Sequence, residues 1–197
     1  MTEWDCPNAL THSTHSRTSS PESLPRDMQL LIIRHAIAED RDHWAFSGRP
    51  DGERPLTQDG KKRMRRGAAG LRGLVPRLDV LASSPLVRAQ ETAAIVAREY
   101  GGLEIETVPE LAPERAADDL LPWLRGRGAD DCAALVGHEP GLGFLVGWLL
   151  TGRHESFVEL KKGAACLLEF DDPPAPGNAT LLWALAPGHL RKLEHAR

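Results

Sequence analysis

The chain has 197 residues, 41% of them hydrophobic and 26% charged, with a formal net charge of -4. That length suits one domain with a substantial core, and the mildly acidic balance excludes any global pull toward nucleic acid or an anionic membrane, so anion binding must be local. Cys6, Cys132 and Cys166 are widely spaced and form no C-x-x-C pair, which excludes a disulfide or zinc framework and reads as reduced thiols.

Residues 1–27 contain THSTHSRTSSPESLPRD, rich in Ser, Thr, His and Pro with little to bury, and are expected to be a disordered N-terminal extension. Met28 leads directly into QLLIIRHA and is a candidate true start, with residues 28–197 as the folded domain. The N-terminus has no cationic start followed by an apolar stretch, and no run reaches the ~18 apolar residues of a membrane span, so no membrane partner and a cytoplasmic location are expected.

Residues 29–33 read as a strand apolar on both faces. Residues 57–74 carry a helical pattern, with Thr57 as N-cap and Asp59 in the first turn. A short strand follows at 80–83, then a helix over 86–100 ended by Gly101-Gly102. A strand is expected at 103–108 and a short helix at 117–125, broken at Pro122. A buried strand at 133–137 precedes an apolar helix over 141–151, and strands at 165–170 and 180–186 flank the turn-rich DDPPAPGN. The alternation predicts an α/β three-layer sandwich, a mostly parallel sheet with helices on both faces.

Ligands in such folds gather beyond the carboxyl ends of strands. Three strand ends carry usable polar residues: Arg34-His35, Ser83-Ser84-Pro85 with Arg88 close behind, and Gly137-His138. Each alone is unremarkable, although Arg88 in the first turn of its helix opposes the helix dipole unless an anion sits there. Together, guanidiniums and imidazoles crowded in one place would repel one another without a multiply charged anion. Arginine forks match phosphate oxygens, and a neutral imidazole can attack phosphorus. The set would catalyse phosphoryl transfer by positioning and charge alone, with no metal or cofactor.

The segments LLIIRHAIAE, RPLTQDG, LASSPLVRAQETA, VPELAP and LVGHEPGLGFL resemble, in order, those of the histidine phosphatase, or phosphoglycerate-mutase-like, superfamily. Residues 29–186 follow that order, and the compact length with RPLT, PEL and GHEP is most similar to the SixA-type phosphohistidine phosphatases. The resemblance implies a phosphorylated nucleophile at His35, with Arg34, Arg88 and His138 around the phosphoryl group and Arg54 as a further phosphate or substrate contact. Two positions depart from the family's pattern. Ala36 stands where glycine is usual, and Pro113 occupies the slot where ester-cleaving relatives carry a glutamate. Glu110 and Glu114 flank that slot out of register and are the candidate acids.

Phosphoesters need a proton donor, worth roughly 10²–10⁴-fold in rate. A phosphohistidine protonated on its other ring nitrogen leaves as neutral imidazole and needs less help. The substrate expected is therefore phosphohistidine on a protein, with a small phosphometabolite as runner-up and a non-catalytic phosphoprotein-binding module as the competing class.

Other patterns are weighed against this one. GHEPGLGFLVG follows a strand, but the dinucleotide fingerprint fails at Val146, and no P-loop sequence occurs. A metal site from His35, His43 and His138, with Asp40 and Asp42 nearby, lacks a known ligand spacing. Trp44 is a candidate to line the pocket, and the basic run GKKRMRR is either a solvated face or a dock for an acidic partner.

Overall fold

The computed structural model describes residues 27–194; the expected extension, apart from Asp27, lies outside them. Strand β1 (Met28–Arg34) is followed by helix α1 (Arg41–Ala45), a 3-10 turn at Asp51–Glu53 and helix α2 (Gln58–Leu74). Next come β2 (Val80–Ser83), α3 (Val87–Glu99), β3 (Ile105–Thr107), 3-10 turns at Pro109–Leu111 and Ala117–Leu120, and α4 (Leu121–Arg125). The chain then forms β4 (Cys132–Gly137), α5 (Gly141–Thr151), β5 (Ala165–Phe170), β6 (Thr180–Leu185) and α6 (Pro187–Leu193).

One sheet carries all six strands in the order β3-β2-β4-β1-β5-β6. The first four run parallel, while β5 pairs antiparallel with β1 and β6 antiparallel with β5. Side chains alternate across β1, so its two apolar faces feed two cores. Leu31 and Ile33 join the side packed by α2, α3 and α6, and Leu30 and Ile32 join the side packed by α4 and α5. Covering both faces with helices gives the three-layer α/β architecture read from the alternation.

Local chemistry explains the helix starts. Thr57 caps α2 through its hydroxyl, which accepts from the Gly60 amide at 2.9 Å. A Cβ at Gly60 would collide with the Ile37 carbonyl oxygen, so glycine lets α2 lie against the loop after β1. The expected break at Pro122 is instead a start: Pro122 stands in the first turn of α4, where its missing amide costs nothing. The short helices α1 and α6 are additions to the sequence reading.

Two glycines of GHEPGLGFLVG, Gly143 and Gly147, have a packing reason. A Cβ on Gly143 would meet the Ser156 hydroxyl and the Val158 carbonyl, and one on Gly147 would meet the Glu155 carbonyl. They seat residues 155–158 across α5, which accounts for two of the glycines that imitate a nucleotide-binding loop.

Candidate active site

Parallel pairing aligns three strand ends. Arg34 is level with Gly137, and Ser83 with Val136. The next residues therefore emerge side by side: His35, His138 and Ser84. Backbone bonds hold them there, from the His35 amide to Gly137 O at 3.0 Å and from the Ser84 amide to Val136 O at 3.0 Å. The imidazole centroids of His35 and His138 are 5.0 Å apart.

These rings line a cleft of about 260 Å³ with Arg34, Arg54 and Arg88, and with Glu39, Asp40, Arg41, Pro113, Glu139 and Lys162. His35, Arg54, Arg88 and His138 are respectively 6%, 5%, 2% and 4% exposed, an unusual depth for charged or titratable groups. Buried cations need partners. Asp51 supplies one to two of them, its carboxylate lying 2.8 Å from Arg54 Nε and 3.1 Å from Arg88 Nη1. Arg88 Nη1 also donates to Asp51 O at 3.0 Å, Arg54 Nη1 to Glu39 O at 2.8 Å, and Arg34 Nη1 to Leu160 O at 2.6 Å. Among the described residues three buried side-chain atoms stay unpartnered: Arg34 Nε, Arg88 Nε and His138 Nδ1.

His35 Nδ1 lies 2.7 Å from Ala36 O. A carbonyl only accepts, so Nδ1 carries the proton and Nε2 keeps its lone pair. Burial, with further help from Arg88, Arg34 and Lys162, pushes the His35 ring down to about 3, against the bond to Ala36. His138 is also pushed down to about 3, by burial first and then by His35 and Arg88. Both rings are neutral at ordinary pH. His138 Nε2 is 2.9 Å from Ser84 Oγ, which fixes its ring plane. Thr92, fully buried on α3, accepts from the Ala36 amide at 3.0 Å and donates to Arg88 O at 2.7 Å, tying the loop after β1 to the Arg88 helix.

The structure thus brings together Arg34, His35, Arg54, Arg88 and His138. It does not bring Glu110 or Glu114 to them. Both are exposed and neither lines the cleft, where only Pro113 of that segment is found; Glu110 borders a separate pocket behind His138. The carboxylates that do reach the cleft are Glu39, Asp40 and Glu139. Asp40 caps α1 by accepting from the His43 amide, which holds its carboxyl below the usual range. Glu139 accepts from the amides of Gly143 and Leu160 at 3.1 and 2.8 Å.

Trp44 lines a neighbouring depression with Arg41, its Nε1 donating to Pro50 O and its ring lying under Arg49. His43 is exposed on α1 and does not line the cleft, so the His35–His43–His138 metal set is not assembled. Sequence reasoning missed Asp51, Thr92, Glu39 and Lys162. The proximity of Asp51 to RPLT in the sequence was the only available hint.

A cluster of buried arginines and neutral imidazoles at the carboxyl ends of parallel strands defines a phosphoryl-transfer class of site. The profile of the histidine phosphatase superfamily (branch 1) matches residues 30–120. An uncharacterized protein of Picosynechococcus sp. (strain ATCC 27264 / PCC 7002 / PR-6) is 36% identical over 137 residues, 68% of this chain and 81% of that protein. Phosphohistidine phosphatase SixA of Escherichia coli (strain K12) is 27% identical over 171 residues, 83% of this chain and 97% of SixA. A structure of the protein histidine phosphatase SixA complexed with tungstate superposes with a TM-score of 0.69 at 27% identity, covering 83% of this chain and 99% of that one. The chain belongs to the histidine phosphatase superfamily, and its chemistry is phosphoryl transfer of that superfamily's kind.

Proposed function

We propose that the protein is a phosphohistidine phosphatase acting on a phosphorylated protein, with His35 as nucleophile. The observation that carries this reading is the Nδ1 bond to Ala36 O, because it leaves Nε2 as a free base inside a cationic cleft. In the first step Nε2 attacks phosphorus as the bond to the substrate's imidazole breaks. That imidazole leaves neutral, its other nitrogen already protonated. Arg34, Arg88 and His138 hold the equatorial oxygens through the donors that have no protein partner, and Arg54 lines the rim. Water then attacks the phosphorylated His35, the P–Nε2 bond breaks, and orthophosphate carries away the water's protons.

The weak provision for a proton donor supports the phosphoramidate. Proline fills the family's acid slot, Asp40 and Glu139 are occupied as acceptors, and the similarity to SixA points the same way. One observation favours the runner-up, a phosphatase for a small phosphoester: Glu39 is exposed and lines the cleft, and could protonate an alkoxide.

The test is a substrate panel in EDTA, setting a phosphohistidine carrier protein against small phosphoesters, with His35→Ala as control. Preferred turnover of the carrier protein, a trappable phosphorylated His35 and a loss on the order of 10⁴-fold or more in His35→Ala are expected. Turnover that survives His35→Ala would refute the mechanism. Faster esterolysis that is lost in Glu39→Gln would favour the runner-up, and stoichiometric binding without turnover would favour a binding module. Residues 1–27 are expected to be dispensable in the same assay.

A further inference from the structure

The proposed reaction leaves one cluster of cations unused. A pocket of about 100 Å³ adjoins the cleft, between the loop after β1, helix α2 and the start of α6. Arg63, Arg191 and Lys162 line it, together with the apolar Ala36, Ile37, Met64 and Pro187, and no carboxylate does. Lys162 lines both this pocket and the cleft, so the two are neighbours that share one cation. Its position is fixed by the neighbouring amide of Gly163, which bonds to the carbonyls of Arg34 and His35 at 3.2 and 3.1 Å.

The basic run of α2 is divided by its partners. Lys61 is paired with Glu91 and Arg66 with Glu194, each at 2.6 Å. Arg63 pairs with Asp59 at 2.7 Å, but both side chains are half exposed, and such a pair yields readily to a competing anion. Among the described residues neither Lys162 nor Arg191 forms an ion pair. Three cations converging on a pocket with no lining carboxylate form an anion site in waiting.

We propose that this pocket is a second anion subsite, taking a carboxylate or further phosphate of the same substrate that presents its phosphoryl group to His35. The inference rests on the phosphatase reading of the cleft. The apolar lining suits the methylene groups that would join the two anions. The second anion is either an acidic side chain beside the phosphorylated residue of a protein or the carboxylate of a small phosphoester. The chemistry recognised is the same.

Two matched pairs test this: histidine-phosphorylated peptides with Glu or Gln beside the phosphohistidine, and phosphoglycolate against ethyl phosphate. The native enzyme should prefer the acidic member of at least one pair by roughly tenfold in kcat/KM, mainly through KM, the scale of one charge-assisted bond. That preference should shrink in Arg63→Ala/Arg191→Ala and in Lys162→Gln, and with added salt. The pair that shows it names the source of the anion. Equal use within both pairs, or a preference that survives in the variants, overturns the proposal. If nothing is turned over, the phosphatase reading has failed instead. Calorimetric binding of the same ligands then decides the subsite, which stands only if the acidic members bind tighter and lose that advantage in the variants.

Discussion

The two ends of the sheet offer contrasting cavities. At the amino ends of β1 and β4 a cavity of about 390 Å³ is lined by Asp27, Gln29, Arg77, Asp130, Asp131 and Glu169, among others. It is larger than the cleft at the carboxyl ends and also rich in charge. Its charges, however, are of the ordinary surface kind. Arg77 pairs with Asp79 at 2.6 Å with both side chains in contact with solvent, and Asp131 accepts from the Gly128 amide. Asp27, Glu169 and Asp171 come close enough to hold a cation, as exposed acidic groups often do. At the carboxyl ends, by contrast, charged and titratable groups are buried and polar atoms are left without partners. Burial of unsatisfied donors marks chemistry better than volume does.

Mutation can break that comparison. Arg88→Ala should lower kcat by about 10²–10³-fold, the cost of losing one preorganised donor to a developing charge. Arg77→Ala, at the other end, should leave the rate within a factor of about two, because surface substitutions away from a site are nearly neutral. Steady-state kinetics on the two variants would check this; equal losses would erase the distinction between the ends.

Asp51 sharpens it. Asp51→Asn keeps the shape but removes the carboxylate shared by Arg54 and Arg88. The expected loss in kcat/KM is roughly tenfold, the worth of a hydrogen bond to a charged group. Because the role is one of alignment, the affinity for inorganic phosphate, read by calorimetry, should move with it, while the melting temperature changes little.

A further effect is in stability against pH. His35 and His138 are held near 3 when folded, against about 6.5 when unfolded. Between those values the unfolded chain binds more protons, so their contribution is complete above pH 6.5 and is lost as pH falls toward 3. Thermal unfolding should show a decline already between pH 6.5 and 4.5, before most carboxylates titrate. His35→Ala should flatten it, and added phosphate should oppose it by filling the cleft with negative charge.

Much of this was legible in the sequence because the central strands are short apolar runs, α2 and α3 are long enough to show a helical period, and α5 is an apolar run too long for a strand. Placing His35, Ser84 and His138 at strand ends was enough to expect convergence. The reversed direction of β5 was not legible, since an apolar run reads the same in either direction. Helices α1 and α6 are too short to declare a period. Asp51 and Glu39 owe their positions to loop conformation, which no periodicity encodes, whereas Glu110 and Glu114 are visible in the sequence simply by lying beside Pro113.

Strand β1 carries a last consequence. It is greasy on both sides, so sliding it by one residue would still bury hydrocarbon on each face, and oil alone cannot choose its alignment. The choice falls to its two polar ends: Gln29 clasped to Glu169 at 3.0 Å, and Arg34 anchored on Leu160. Arg34, which lines the cleft, therefore also serves as one of the stops that seat the strand. A substitution at Arg34 should be felt as misalignment as well as lost catalysis.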